Sequence, residues 1–331
     1  MPGRLEFWRG LEAALRSGRP AFVARVVEST AHSPGTSGAA LYATPDAPPV
    51  GTVGGGAMEL RLLERARTVL GTGERVRELV DLHHRRDAPP GGEPSGMICA
   101  GRQTNLYLTL TPAEAPEVAA WTEALSAERG VLRTYGAGLT VLRDGGDGPP
   151  RLERGAAWRF DEPALERRRL AILGAGHCGR ALARLMAGMG WRVRLFDTRR
   201  AMLEDPGAAD LDVRRVDDFR DAGAAVDHAR LTPVVVMTTD VVNDIRALAG
   251  ALPRPFPMVG AMGSAAKLEE IRRQLGGLGL GAADLERLTA PVGLEIDSHT
   301  PAEIAVSVGA QLLARRHRWL DAAGPDSSGG G

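Results

Sequence analysis

The chain has 331 residues, enough for two domains with separate cores, and its 44% hydrophobic, 25% charged and 4% aromatic content is typical of a globular α/β protein. Its 41 basic and 41 acidic side chains cancel, which argues against a nucleic-acid-binding or membrane-surface protein. No signal peptide or membrane-length apolar run is evident, and there are only two cysteines, so we expect a cytoplasmic protein without a disulfide framework or structural zinc.

The first half of the sequence predicts an α+β domain over residues 1–155, because runs of strands are interrupted by only a few helices. The predicted elements, in chain order, are a helix over 7–16, a strand over 21–30, an antiparallel meander over 31–56, a helix over 57–70, strands over 76–83 and 105–110, a helix over 114–127 and a strand over 139–142.

A segment rich in glycine, proline and charge, residues 145–166, separates the two halves. From 166 to 320, continuous apolar strands alternate with helical segments, which predicts a parallel sheet covered on both faces. The fold class is therefore α/β, with a C-terminal Rossmann-like domain after the α+β domain. The tail, 321–331, is expected to be disordered.

The second half carries a dinucleotide fingerprint at Gly174, Gly176 and Gly179. The fingerprint follows an apolar strand and opens a helix, so its N–H groups could bind a pyrophosphate. Asp197 ends the next strand, where it either binds ribose hydroxyls of NAD(P) or another nucleotide or merely ends the strand. Arg199 and Arg200, which follow, leave open the binding of a phosphorylated ribose.

Further polar residues follow the later strands of this half. The sequence leaves three roles open for Asp240: it binds a ligand, ends a strand or caps a helix. Lys267 comes just after Gly263 and Ser264 and begins a helix, where it contacts an anion or lies on a solvated face. No arrangement of acid and base residues identifies a hydride-transfer site.

A second glycine-rich turn, at Gly54, Gly55 and Gly56, lies in the first half. Three consecutive glycines before a helix predict positive φ angles and a nest of N–H groups for a phosphate or another anion. Glu59, on the first helical turn, is either a partner of the helix dipole or a ligand contact.

The two cysteines occupy different settings. Cys99 lies in a turn of small residues, where the nearby Arg102 could favour a reactive thiolate, although the residues alone favour an inert thiol. Cys178 is expected to pack against the dinucleotide turn.

Taken together, these segments resemble the XdhC/CoxI family, whose members are accessory proteins of xanthine dehydrogenase and related molybdenum hydroxylases. The resemblance covers roughly residues 21–313. The matching segments, in chain order, are GTVGGGAMELRLLERA, SGMICAG, LAILGAGHCGRAL, FDTR, VVVMTTD, MVGAMGSAAKL and APVGLEIDSHTPAEIAVSVGAQLL.

The resemblance implies an accessory protein, more a chaperone than an enzyme, that binds molybdenum cofactor, protects it and inserts it into an apo-hydroxylase. The implied ligand is molybdopterin or its dinucleotide form, with Cys99 contacting molybdenum. The implied partners are the hydroxylase large subunit and a cysteine desulfurase, and the apolar final helix could support a homodimer. The expected cofactor-binding residues are Gly54, Gly55, Gly56, Glu59, Cys99, Gly101, Gly174, Gly176, Gly179, Asp197, Asp240, Gly263, Ser264 and Lys267.

The sequence departs from the family pattern at several positions. Ala100 replaces the first glycine of the family's Cys-Gly-Gly element, Thr239 and Val241 replace two histidines, and Ala290 replaces a frequent cysteine. Two other hypotheses therefore remain at this point. One is an NAD(P)-dependent oxidoreductase that uses the Rossmann-like domain, and the other is a regulatory interaction module.

Overall fold

The structure, a computed structural model, describes residues 3–30, 32–83, 93–94, 101–146, 148–155 and 157–320. It divides into an N-terminal unit, Met1–Leu165, and a C-terminal unit, Glu166–Gly331. Among the helices of these described residues, none is both long and apolar enough to cross a membrane.

The N-terminal unit combines two sheets with three longer helices in its described part. One sheet has the order β3-β2-β1-β6-β4-β5 and the other the order β8-β7-β10-β9; all pairings are antiparallel except β4 with β5. The elements are α1 Arg4–Arg16, β1 Ala21–Ser29, β2 Ala40–Thr44, β3 Ala47–Gly51, α2 Gly56–Thr72, β4 Arg77–His83, β5 Glu93–Pro94, β6 Arg102–Leu110, α3 Ala115–Ala127, β7 Val131–Tyr135, β8 Gly138–Leu142, β9 Arg151–Glu153 and β10 Arg159–Pro163.

The larger sheet has a hydrophobic core on each face. Successive side chains of β1 alternate between the two, because side chains in a strand point to opposite faces. Phe22 packs in the core that contains Met58 of α2, whereas Val23 packs in the core that contains Leu11 of α1 and Trp121 of α3. Both faces of the strand are buried, which explains its continuous apolar sequence.

A buried ion pair holds β10 in this unit. Arg25 and Glu162 are only 3% and 5% exposed, and Arg25 Nη2 lies 2.5 Å from Glu162 Oε2. Arg4 Nη2 lies 3.0 Å from the other carboxylate oxygen. Burial alone would raise the pKa of Glu162, but the two guanidinium groups outweigh this effect and lower the pKa below its ordinary value. The sequence segment expected to separate the domains therefore contains a strand that pairs with β7.

The C-terminal unit is a six-stranded sheet of order β13-β12-β11-β14-β15-β16, with parallel pairing throughout. This is the Rossmann order, so the predicted fold class is confirmed. The elements are β11 Arg169–Leu173, α4 His177–Gly188, β12 Arg192–Asp197, α5 Ala201–Glu204, β13 Val213–Arg215, α6 Phe219–Ala222, β14 Val234–Val236, α7 Val241–Ala251, β15 Val259–Ala261, α8 Ala265–Gly277, α9 Ala282–Glu286, β16 Leu288–Thr289, α10 Pro301–Arg315 and α11 His317–Leu320.

Helices cover both faces of the parallel sheet. Ile172 of β11 packs in the core that contains Leu182 of α4 and Val308 of α10, and Leu173 packs in the opposite core with residues of α7 and α8. The strand order reverses between β11 and β14. In sheets of this kind, ligands bind at the carboxyl ends of the strands at such a reversal. The fold therefore places the dinucleotide fingerprint at the expected ligand position.

Candidate functional site

The triple-glycine turn of the N-terminal unit connects β3 to α2. Gly54, Gly55 and Gly56 have φ angles of +131°, +72° and +65°. The predicted positive φ angles are thus confirmed, and side chains larger than glycine would be strained at these positions.

The anion in this turn is the chain's own carboxylate. Glu59 Oε2 accepts hydrogen bonds from Val53 N at 3.2 Å, from Gly55 N at 3.1 Å and from the Thr52 hydroxyl. Gly54 N donates to Thr52 Oγ1 at 3.2 Å. Glu59 thus uses the N–H groups of Val53 and Gly55, and its negative charge disfavours a phosphate here. The expected pterin-phosphate site at Gly54, Gly55 and Gly56 stays a prediction that this arrangement weakens.

Three glycine-containing segments converge beside this turn. A Cβ on Gly54 would lie 2.7 Å from Gly35 N, and one on Gly101 would lie 2.6 Å from Ser33 N. Both glycines are therefore required by close backbone packing, which gives Gly101 a structural role. Cys99, the expected molybdenum contact, lies outside the described residues.

Gln103 connects these segments, and the sequence analysis did not identify it. Its side chain is 1% exposed, accepts from Gly35 N and Ser33 Oγ at 3.0 Å each, and donates to Val53 O at 3.2 Å. Gln103 precedes the apolar part of its strand, and a buried amide needs hydrogen-bond partners, but the sequence pattern alone did not indicate that it is buried.

In the C-terminal unit, the three fingerprint glycines have different physical requirements. A Cβ on Gly174 would lie 2.2 Å from Met237 O, and one on Gly179 would lie 2.1 Å from Gly174 O. At both positions, neighbouring backbone atoms leave no room for a side chain. Gly176 has a φ of −74°, and a Cβ there would have no neighbour within 4 Å. Within the described part of the chain, no neighbouring atom requires glycine at 176, so the position has room for a ligand.

The contact between Gly174 and Met237 brings together the turns that follow β11 and β14. We call the open space beside Gly176, at the carboxyl ends of β11 and β14, the α4 crevice. The N-terminus of α4 faces this space without a side-chain cap and without an acidic residue in its first turn. Its first N–H groups have no partner within the helix and carry partial positive charge, so the α4 crevice can bind an anion.

The neighbouring helices are capped by the chain itself. Asp240 accepts from Asn243 N at 2.8 Å and caps α7. The hydrogen bond from Asn243 N is the largest cause of its lowered pKa. Ser264 Oγ accepts from Lys267 N at 3.4 Å and caps α8. Of the alternatives for Asp240, the structure therefore shows the helix cap, and the hydroxyl of Ser264 has the same role.

Lys267 is paired within the protein. Its Nζ lies 2.5 Å from Asp244 Oδ2, and the other oxygen of this 1% exposed carboxylate accepts from Thr238 Oγ1 at 2.6 Å. A Cβ on Gly263 would lie 2.9 Å from Lys267 Cδ, so this glycine leaves room for the lysine stem. Asp244 neutralises the ammonium charge, which weakens the expectation that Lys267 is an independent anion contact.

Asp197 is fully buried, at 0% exposure. Its Oδ2 accepts from Ala175 N at 2.8 Å and Arg199 Nη2 at 2.9 Å, and its Oδ1 accepts from Arg199 N and Nε at 2.9 Å each. Burial raises the pKa of Asp197, but these hydrogen bonds outweigh burial and lower it below the ordinary value. With about four acceptor positions occupied, the carboxylate holds the fingerprint turn to the end of β12 and offers no position for a ribose hydroxyl.

Cys178 lies in the first turn of α4 and is half-buried. Burial raises the pKa of its thiol, which favours the protonated and less reactive form. It packs against the hydrophobic core that includes Ala175 of the dinucleotide turn, against which the sequence predicted it to pack.

Two family models match the chain at successive positions. The model of the XdhC and CoxI family matches residues 14–82, and that of the XdhC Rossmann domain matches residues 170–312. The chain belongs to the XdhC and CoxI family. One match lies in the N-terminal unit and the other in the C-terminal unit, in the order that the motifs predicted.

Individual relatives agree with this assignment to different extents. The uncharacterized protein YqeB of Escherichia coli (strain K12) is 34% identical over 153 residues, which are 44% of this XdhC-type chain and 27% of YqeB. The match thus spans about a quarter of that relative's length. A crystal structure described as a xanthine dehydrogenase from Bacillus halodurans has a TM-score of 0.74 at 20% identity and covers 98% of each chain. At this identity the likeness establishes a shared fold.

Proposed function

We propose that this protein is an accessory factor in the maturation of a xanthine dehydrogenase-type molybdenum hydroxylase and that it carries molybdenum cofactor as its cargo. The proposal is supported by membership in the XdhC and CoxI family and by the fold shared with the Bacillus halodurans protein that is described as a xanthine dehydrogenase. The proposed partners are the large subunit of the apo-hydroxylase and a cysteine desulfurase that supplies sulfur.

The α4 crevice is the observation that carries the proposal. The pterin of the cofactor bears a phosphate, and phosphates bind readily at open helix N-termini next to glycine. The space beside Gly176 and the uncapped start of α4 fit such a group. The triple-glycine turn does not fit it in this arrangement, because Glu59 occupies that turn. We therefore assign the pterin phosphate to the C-terminal unit.

The test is an anaerobic titration of the purified protein with molybdenum cofactor, using Gly176→Ala and the matched control Gly188→Ala. Both glycines lie at ends of α4, and an added Cβ meets no protein atom within 4 Å at either. Only the methyl group at 176 would enter the α4 crevice. We expect Gly176→Ala to weaken cofactor binding by about tenfold, equivalent to about 1.4 kcal/mol, and Gly188→Ala to leave it unchanged. Wild-type protein that binds no cofactor, or equal binding by both variants, would contradict the proposal.

A further inference from the structure

The end of β12 is the position where Rossmann sites commonly recognise a ribose. An acidic side chain there usually accepts hydrogen bonds from the ribose hydroxyls of NAD, whereas an arginine accommodates a 2′-phosphate. This chain has both residue types at that position, and their relative exposure determines which of them meets a ligand.

Asp197 is buried, whereas the side chain of Arg199 is exposed to solvent. Asp197 has 0% side-chain exposure, while the side chain of its partner Arg199 is 42% exposed. Arg199 donates to the carboxylate through Nε and Nη2. A guanidinium has five N–H groups, so three remain, and the hydrogen bonds of the described residues show no acceptor for them. The surface of this pair therefore offers donors and no acceptor.

The neighbouring arginines differ from Arg199 because their acidic partners are themselves exposed. Arg200 pairs with Glu204 at 2.6 Å, and the two side chains are 77% and 59% exposed. Arg180 pairs with Asp205 at 2.7 Å, where the acid is 37% exposed. A ligand at either pair meets an acceptor as well as a donor. Among these three ion pairs, Arg199 with Asp197 is thus the one that presents only positive charge.

We propose that Arg199 is a specificity-determining residue that makes the end of β12 select a phosphate in place of a ribose diol. A diol would need to displace the Arg199 side chain from Asp197 and would replace an ion pair of the buried carboxylate by neutral hydrogen bonds. A 2′-phosphate accepts from the remaining N–H groups of Arg199 while the ion pair stays intact. The ligand class of this position is a 2′-phosphorylated adenine nucleotide such as NADP. This inference rests on the proposed assignment of the α4 crevice as a phosphate site.

Isothermal titration of the full chain with NADP⁺ and with NAD⁺ tests the inference. We expect the wild type to bind NADP⁺ at least about tenfold more tightly than NAD⁺, the effect of one charge-assisted hydrogen bond. In Arg199→Ala the preference should disappear or invert, because NADP⁺ loses its partner and Asp197 becomes available to a diol. Arg199→Gln keeps one donor to Asp197, so it serves as the second variant if Arg199→Ala does not fold. It should also lose the preference for NADP⁺.

Arg200→Ala is the matched control, since Arg200 is adjacent in sequence but paired with Glu204. It should retain the wild-type ratio. Equal binding of both dinucleotides, tighter binding of NAD⁺, an unchanged ratio in both Arg199 variants, or no binding of either dinucleotide would overturn the inference. Titration of the same wild-type preparation with molybdenum cofactor distinguishes failure of this inference from failure of the proposed function. Cofactor binding without a preference for NADP⁺ overturns only the inference. A preference for NADP⁺ without cofactor binding overturns only the proposal that molybdenum cofactor is the cargo.

Discussion

Two carboxylates determine what the two glycine-rich turns can bind. Glu59 accepts from the N–H groups of Val53 and Gly55 in its own turn. Asp197 accepts one hydrogen bond from Ala175 of the fingerprint and three from Arg199. The sequence analysis named both residues as candidates and left their roles open. Their roles depend on side-chain conformation, which residue spacing does not specify. In both turns, the acid stabilises the loop that a sequence motif would assign to a ligand.

The stability of the protein should depend on the ionisation of Asp197. Because the pKa of Asp197 is lower in the folded protein than in the unfolded chain, its contribution is present above the unfolded value of about 4 and is lost as the pH falls through the folded value. We expect the free energy of unfolding of the wild type to fall as the pH is lowered below about 5, and that of Asp197→Asn to fall less steeply. Urea denaturation at a series of pH values measures both slopes.

The control for this pH dependence is Asp217→Asn. The side chain of Asp217 is 93% exposed and lies 3.4 Å from Arg215, a solvent-screened pair. This variant should reproduce the wild-type slope. Parallel curves for wild type and Asp197→Asn would show that the buried ion pair does not contribute to the pH dependence.

At the scale of elements, the glycine motif that begins α4 serves both backbone packing and ligand binding. Gly174 and Gly179 permit the strand, turn and helix to approach closely, and Gly176 leaves open space. The sequence predicted the motif and its strand–helix context, because glycine positions directly constrain the backbone. It did not predict β7, β9 or β10 of the small sheet. These strands are short and partly polar, and pairs such as Arg25 with Glu162 connect residues that are distant in the chain.

Gly179→Ala should destabilise the C-terminal unit strongly. The added Cβ would lie 2.1 Å from Gly174 O, a backbone atom that cannot move without shifting the fingerprint turn. We expect a loss of about 2 to 3 kcal/mol, as for overpacked positions in cores. Gly188→Ala, in the same helix, should change stability by less than about 1 kcal/mol. Urea denaturation measures both variants, and equal midpoints would show that the turn adjusts without cost.

At the scale of the whole molecule, the chain joins two units that each carry part of an XdhC family match. The phosphate position lies in the C-terminal unit. The proposed contact with molybdenum, Cys99, belongs to the N-terminal segment and lies outside the described residues. The cargo hypothesis therefore requires a measurement on the full chain.

The two cysteines of the chain provide that measurement. A soft thiolate suits a molybdenum centre, and burial keeps Cys178 protonated by raising its pKa. We expect Cys99→Ser to lower the cofactor retained by the purified protein by about tenfold. Because the Cys178 side chain packs against the hydrophobic core, Cys178→Ser should have a smaller effect. The fluorescence of the oxidised pterin quantifies retention. Equal retention by the two variants would remove Cys99 from the proposed site.

The sequence by itself determined the family, the Rossmann-like C-terminal domain and the positive φ angles of Gly54, Gly55 and Gly56, because motif order and glycine placement are local properties. Only the tertiary structure decided which N–H groups and charges are available to a ligand. Gln103 bonds to Gly35, Asp197 to Ala175 and Lys267 to Asp244, each across a separation in sequence that spacing rules do not resolve. A donor binds a ligand only if no other part of the chain already uses it, and that depends on the packing of the whole unit.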